Sequence, residues 1–366
     1  MEHYFSASYW EARQAFRRSA QQVGAQLESI LHPLAGPDGE PIATDVAVLG
    51  NPEASRVLLT TSGVHGVEGF FGSAVQRAVL CGELSLPANA KVVLVHAINP
   101  WGWSHGRRFT EDNVDLNRNF WAGAWSHPEH NKAYQQVQPW AELKGLQPSD
   151  YEQAQQYGEQ LAQSIGAEQM KIALSAGQQC APEGLFYVGH GHTWSRAVFE
   201  RLCWQHLAQA SQVFYFDLHT GLGPDGYADV LNQYPPKSEA YRQVVACLGD
   251  VAEGKARDGA TGQTILNGTA AAVQQVSEQT GVHALCATVE CGTQPLEQVL
   301  DALRREQAMH FLGNVQHPGY AETKQNLRAA FYVETPVWKK QVCEQTLGYL
   351  QSALDWLGVG QESGNK

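Results

Sequence analysis

Apolar runs alternate with segments of helical periodicity along most of the chain. Residues 57–61 (VLLTT) predict a short buried strand, followed by a glycine-rich turn and a helix over about 68–80. Residues 91–98 (KVVLVHAI) predict the next strand, closed by Asn99 and Pro100. A further short strand is expected over 184–188 and a helix over 195–208. Residues 213–218 (VFYFDL) and 284–289 (ALCATV) predict two more buried strands, and 296–311 and 338–357 carry helical periodicity. Strands alternating with helices, several of them rich in β-branched residues, predict an α/β sheet with helices on both faces. Residues 133–170 are rich in Gln and Glu at helical spacing and predict surface helices inserted between core strands. With no repeat, low-complexity linker or shift of composition, residues 1–366 are expected to form one domain with a helical insertion around 121–183.

Composition narrows the partners. Hydrophobic residues make up 43% and charged residues 17%, the balance of a globular chain. Twenty-five basic against 37 acidic residues give a net charge of −12, which opposes a general grip on nucleic acid or anionic lipid. No apolar stretch approaches the ~18–20 residues that span a bilayer. The first 22 residues lack the charged-then-apolar pattern of a secretory signal. The seven cysteines contain no CxxC pair, so neither a disulfide framework nor a thiolate metal cluster is expected, and a reducing cytoplasm is the default compartment. These features leave a soluble enzyme or binding protein.

Four polar clusters sit where apolar runs end. His65 and Glu68 follow the first strand among glycines, and a His-x-x-Glu spacing lets an imidazole and a carboxylate reach one ion across a tight turn. The plain alternative is a buried histidine beside a glutamate at a helix start. Asp217 and His219 close VFYFDL; the aspartate is either a support for the imidazole or a residue of the sheet face. Glu290 closes ALCATV, where a carboxylate is costly unless paired, protonated or used. Arg107 and Arg108, then Asn117 and Arg118, lie past the second strand and suit carboxylate recognition, with surface ion pairing as the alternative. All four clusters fall at the carboxyl edge, where open α/β sheets hold ligands.

Three further patterns weigh less. Residues 102–106 (GWSHG) match the G-x-S-x-G elbow around Ser104, but Asn99 and Pro100 have ended the strand and no helical face follows. Residues 221–226 match G-x-G-x-x-G, yet Pro224 and the sequence beyond it do not open a helix. His190 and His192 in GHGH read as part of a glycine-rich loop rather than as ligands.

His65–Gly–Val–Glu68, Asn99–Pro100, VDLNRNF at 114–120 and TVECGT at 288–293, taken in that order, resemble the zinc carboxypeptidase clan. That clan includes carboxypeptidase A and the succinylglutamate desuccinylase/aspartoacylase branch, and the wording is closest to a poorly characterised bacterial subgroup. The resemblance runs over residues 57–293 as an ordered series of motifs. It implies a mixed, mostly parallel sheet flanked by helices and one zinc ion per chain held by His65, Glu68 and His219. It implies Glu290 as general acid/base, Asn117 and Arg118 as the holders of a substrate carboxylate, and Arg108 as the oxyanion-stabilising arginine. Arg107 is a close competitor for that oxyanion role, because the spacing to Asn–Arg varies within the clan, and is otherwise expected to contact the substrate. The clan's peptidases also use a mobile tyrosine; Tyr227 and Tyr234 lie in the right interval, and no motif selects between them. The expected activity is therefore hydrolysis of an amide bond in a small peptide or an N-acyl amino acid. The competing readings are a serine esterase using Ser104 and a metal-binding module without turnover.

Overall fold

The computed structural model describes residues 1–121, 131–249 and 268–358. Among them, one mixed sheet has seven strands: β1 (Gln26–Ala35), β2 (Pro41–Gly50), β3 (Arg56–Ser62), β4 (Ala90–His96), β5 (Gln212–Thr220), β6 (Ala228–Asn232) and β7 (His283–Cys291). Their order is β1-β2-β4-β3-β5-β7-β6. β4, β3, β5 and β7 run parallel as the central block. β1, β2 and β6 add antiparallel pairings at the two edges. The parallel block brings the carboxyl ends of β3, β5 and β7 to one edge, and the register sets His219 opposite Glu290.

The period of two divides the core between the faces. Leu58, Phe214, Phe216 and Leu285 pack on one side with Phe16, Phe71 and Leu350, from the helices Tyr9–Gln22, Gly69–Leu80 and Pro336–Gly358. Val57, Leu59, Val213, Tyr215 and Cys286 pack on the other with Phe199 and Val273, from the helices Trp194–Leu207 and Ala270–Thr280. The sheet is thus covered on both faces, which is why its central strands read as unbroken apolar runs.

A third cluster lies beyond the sheet. It joins Tyr134 and Val137 of the helix Tyr134–Ala141 and Leu174 of the helix Ala167–Ser175 to Val299 and Leu303 of the helix Leu296–Leu312. The helix Pro148–Ile165 lies in the same stretch of chain; residues 122–130, within the expected insertion, are outside the described residues. No helix among the described residues is long and apolar enough to cross a membrane.

One expected strand is absent. Residues 184–188 form a loop in which Tyr187 makes only an isolated bridge to Gln178, and Phe186 takes φ +56°. The loop's backbone is paired by other means. Tyr187 O accepts from Asp115 N at 2.8 Å, and Val188 O from Asn119 Nδ2 at 2.8 Å. These bonds remove the need for a strand partner.

Candidate metal centre and its cleft

β3 ends in a turn that carries His65, and Glu68 closes the short helical turn Gly66–Glu68. The turn is docked on residues 107–108: Gly66 N donates to Arg108 O at 3.1 Å and Val67 N to Arg107 O at 2.9 Å. A Cβ on Gly66 would lie 2.2 Å from Gly102 C and Trp103 N, so only glycine permits this approach. The arginine doublet and the His-x-x-Glu turn are consequently one unit.

His65, Glu68 and His219 converge, with ligand atoms all within 4.8 Å of one another, and all three side chains are buried. The two histidines are placed alike. Nδ1 of His65 lies 2.9 Å from Glu68 Oε1, and Nδ1 of His219 lies 2.8 Å from Glu68 Oε2. On the far side of each ring, His65 Nε2 meets Asp115 Oδ1 at 3.1 Å and His219 Nε2 meets Asp217 Oδ2 at 2.7 Å. An aspartate on Nε2 keeps the proton there and turns the Nδ1 lone pair outward, as metal-binding histidines require. His65 Nδ1 is buried and faces Glu68 Oε1 at the shared point without a well-aligned hydrogen bond. These residues fit a divalent ion.

Asp115 and Asp217 do more than the sequence alone disclosed. Asp217 shares a strand face with His219 by the period of two, and it accepts from Thr61 Oγ1 at 2.6 Å and Thr269 Oγ1 at 2.7 Å. Asp115 accepts from Arg108 Nε at 3.2 Å and from Asn117 N at 3.0 Å, besides meeting His65. Burial would raise both carboxyls; for Asp115 the charges of Arg108 and His65, and for Asp217 the charge and hydrogen bond of His219, hold them below the usual range. Burial likewise opposes ionisation of Glu68, but His65, His219 and Arg108 outweigh it and lower its pKa. His219 is desolvated too, and Asp217 and Glu68 nonetheless raise it well above an ordinary histidine.

Glu290 stands apart from the three. It is 8% exposed and accepts a hydrogen bond from Leu222 N at 3.0 Å. Burial first, and the Glu68 carboxylate second, push its pKa up to about 8. A carboxyl able to hold and release a proton near neutrality, placed beside a metal-type cluster, is a candidate acid/base group.

The arginine doublet splits. Arg108 lines the cleft, donates from Nη1 to Glu68 Oε1 at 2.8 Å, and lies over the rings of Phe186 and Phe331. Arg107 does not reach the cleft, which corrects its assignment to substrate contact. It is 0% exposed and closed in by Glu306 at 3.0 Å, Gln307 at 2.8 Å and Asn113 at 3.2 Å. The two side chains part at this bend, and the helix Leu296–Leu312 supplies Glu306 and Gln307 on the Arg107 side.

Asn117 and Arg118 line the cleft. Asn117 Nδ2 lies 3.0 Å from His219 Nε2, while its Oδ1 accepts from Thr269 N at 3.2 Å. Arg118 Nε donates to Ser175 O at 2.8 Å, which ties it to the helix Ala167–Ser175. Neither Tyr227 nor Tyr234 lines the cleft; Tyr234 OH is held between Ala284 O at 3.1 Å and Cys286 N at 3.0 Å. Ser104, His190 and His192 also lie away from it, whereas Leu222 of the 221–226 pattern lines it and donates its N–H to Glu290. Ser104 ends the helix Pro100–Ser104 with Oγ on Trp101 O at 3.0 Å, residues 221–226 lead into β6, and His190 and His192 are exposed. The cleft itself encloses about 990 Å³, counting its open mouth.

Over residues 5–345 the sequence matches a family model described as protein of unknown function (DUF2817). The chain belongs to that family. No curated protein matches the sequence. Among solved structures, this DUF2817 chain is similar to carboxypeptidase A from Helicoverpa armigera, at 13% identity over 93% of this chain and 73% of that one, with a TM-score of 0.44. It is also similar to thrombin activatable fibrinolysis inhibitor, at 12% identity over 96% and 74%, TM-score 0.48. A third is the succinylglutamate desuccinylase from Chromobacterium violaceum, at 14% over 89% and 72%, TM-score 0.37. At such identities the residues of the cleft carry the functional argument.

Proposed function

We propose that this chain is a zinc-dependent hydrolase that cleaves an amide bond in a carboxylate-bearing substrate, a small peptide or an N-acyl amino acid. The observation that carries the reading is the paired orientation of His65 and His219, each with Nδ1 on Glu68 and Nε2 against an aspartate. Two imidazoles and one carboxylate are a donor set that suits zinc and leaves a coordination position open. When bound, such an ion supplies the Lewis acidity that makes water nucleophilic near neutral pH.

The chain's own residues do the rest. Arg118, with Asn117, holds the substrate carboxylate and so orients the scissile amide. Arg108 commits Nε to Asp115 and Nη1 to Glu68, and its Nη2 donates to the carbonyl oxygen as negative charge develops there. Glu290 takes a proton from the attacking water and delivers it to the leaving nitrogen. Burial of the cluster strengthens each of these interactions relative to water.

Ser104 has no comparable setting, and Glu290, which has no ligand role in this scheme, argues against a binding module without turnover. The test is direct. About one zinc per chain should co-purify, and His65→Ala or His219→Ala should remove it, because an incomplete shell binds poorly. A chelator should abolish hydrolysis that a serine-directed phosphonate leaves intact. Full activity in a metal-free preparation overturns the proposal.

A further inference from the structure

The helix Leu296–Leu312 starts just past the strand that ends in Glu290 and Cys291, and it turns one face to the cleft. Leu296, Val299, Leu300 and Leu303 all line the cleft, at the i, i+3, i+4, i+7 spacing of a single helical stripe. Val299 and Leu303 are buried in a cluster with Phe331 and Phe186. Leu296 and Leu300 are only half-buried, and Leu296 joins none of the hydrophobic clusters of the described residues. Apolar surface is therefore left uncovered beside the candidate reaction centre, a feature of ligand sites. The wall begins at Arg108, whose guanidinium lies 5.6 Å from the Phe186 ring centre and 6.0 Å from that of Phe331.

Charge divides the same cleft. Among the described residues its cations are Arg108, Arg118 and Lys171. Lys171 lies one helical turn from Ser175, whose carbonyl accepts from Arg118, so Lys171 and Arg118 belong to the same end. The helix face itself carries no cation, and the guanidiniums that border the wall are those over Phe186, Arg108 at 5.6 Å and Arg118 at 5.5 Å. Arg304 and Arg305 of that helix are paired with Asp301, Arg304 also with Trp140 O, and neither lines the cleft. An acidic acyl group on the wall would find no cation on that helix face and would share the cleft with the carboxylates of Glu290 and Glu68. A longer peptide would lay amide N–H and C=O groups against hydrocarbon, which leaves them unpaired.

We propose that the group on the acyl side of the scissile bond is an uncharged hydrocarbon, a medium-chain or aromatic acyl group carried by an amino acid. It rests on the hydrolase reading above. The acyl chain lies along Leu296, Val299, Leu300 and Leu303 toward Phe331, and the amino-acid carboxylate lies at Arg118 and Lys171.

The test uses zinc-loaded protein with N-acetyl, N-hexanoyl, N-benzoyl and N-succinyl derivatives of alanine and of phenylalanine, beside the alanyl dipeptides. kcat/KM should rise on the order of 100-fold from acetyl to hexanoyl, since each buried methylene contributes roughly fourfold. Succinyl compounds and dipeptides should fall at or below acetyl. Leu300→Asp should cut the hexanoyl-to-acetyl ratio at least tenfold while Leu300→Met preserves it; Leu296→Asp serves where Leu300→Asp does not fold. A flat response to acyl length, or a preference for succinyl or dipeptide substrates, overturns the proposal. If nothing is cleaved, the hydrolase reading fails by itself, and calorimetry with the same compounds decides the subsite. Affinity graded with acyl length upholds the apolar wall as a binding site, and ungraded affinity refutes it.

Discussion

Replacing Asp115 by asparagine, nearly its isostere, tests whether the sheet edge is organised as a metal centre. The carboxylate serves three groups at once: His65 Nε2 at 3.1 Å, Asn117 N at 3.0 Å and Arg108 Nε at 3.2 Å. With its oxygen in the place of Oδ1 the amide still accepts from Asn117 N and meets His65 Nε2, but its NH₂ then faces the Arg108 Nε donor; turned over, the NH₂ faces both His65 Nε2 and Asn117 N. A hydrogen bond to a charged group contributes roughly 1.5–3 kcal/mol, and leaving a buried charged donor unpaired costs at least that. Loss of a carboxylate behind a metal-binding histidine typically costs ~10–100-fold in affinity, which corresponds to about 1.4–2.7 kcal/mol and agrees with one such bond. Because Asp115 is held below the usual carboxylate range, it is charged throughout neutral pH and the effect should not vary between about pH 5 and 8. Zinc affinity is read by competition with a chromophoric chelator, with circular dichroism to establish that the fold persists. A folded Asp115→Asn protein whose zinc affinity stays within about twofold of the parent would refute the claim that Asp115 aims His65 at a metal.

Glu290→Gln should keep its zinc and lose ~10²–10⁴-fold in kcat, the usual contribution of a general acid/base; loss of the metal instead would make Glu290 a ligand. Arg118→Ala should mainly raise KM and abolish the discrimination between free-acid and amidated substrates, whereas Arg108→Ala should mainly lower kcat. Arg107→Ala should lower stability by about 3 kcal/mol in urea unfolding, since it breaks a buried pair with Glu306 that Lys324 alone then neutralises at 2.6 Å. His96 is fully buried against Ser73 and Phe16, and burial depresses its pKa to about 4. Below pH ~6.5 the unfolded chain takes up a proton that the folded chain refuses until about pH 4, so stability falls as pH falls through that window, by about 3 kcal/mol in all. Urea unfolding at pH 7 and pH 4.5 should show this slope flattened in His96→Gln.

The elements legible from pattern were the ones buried on both faces. β3, β4, β5 and β7 carry β-branched and aromatic runs, and the pattern places each within two residues of its observed ends. β1 escaped because an edge strand can tolerate Glu28, Ser29, His32 and Pro33, which break any apolar run. β2 opens on a proline, and its interior includes Thr44 and Asp45; the aspartate can be buried because Arg13 at 2.7 Å and Arg17 at 2.8 Å pair with it. Residues 184–188 misled in the other direction, since LFYV is apolar enough for a strand while its hydrogen bonds go to Asp115 and Asn119. In both cases a long-range partner decided the structure.

The same limit applies at the cleft, where the doublet Arg107–Arg108 is the clearest instance. Two identical side chains, adjacent in sequence, could not be ranked by residue type or spacing. The choice depends on what waits on each side of the backbone. Glu306, 199 positions away, closes one arginine into a buried ion cluster, while Glu68 and Asp115 hold the other beside the converging histidines. The aspartates follow the same logic. Asp217 carried a signal, because it stands two residues before His219 and so shares its face of the strand, whereas Asp115 reaches His65 only through the fold. What tertiary structure adds is therefore direction: the motifs supply the chemical types, and the partners behind them decide which atoms point at the cleft. The apolar face of Leu296–Leu312 belongs to this class, since leucines at helical spacing signify core until the structure shows which of them meet an open cleft.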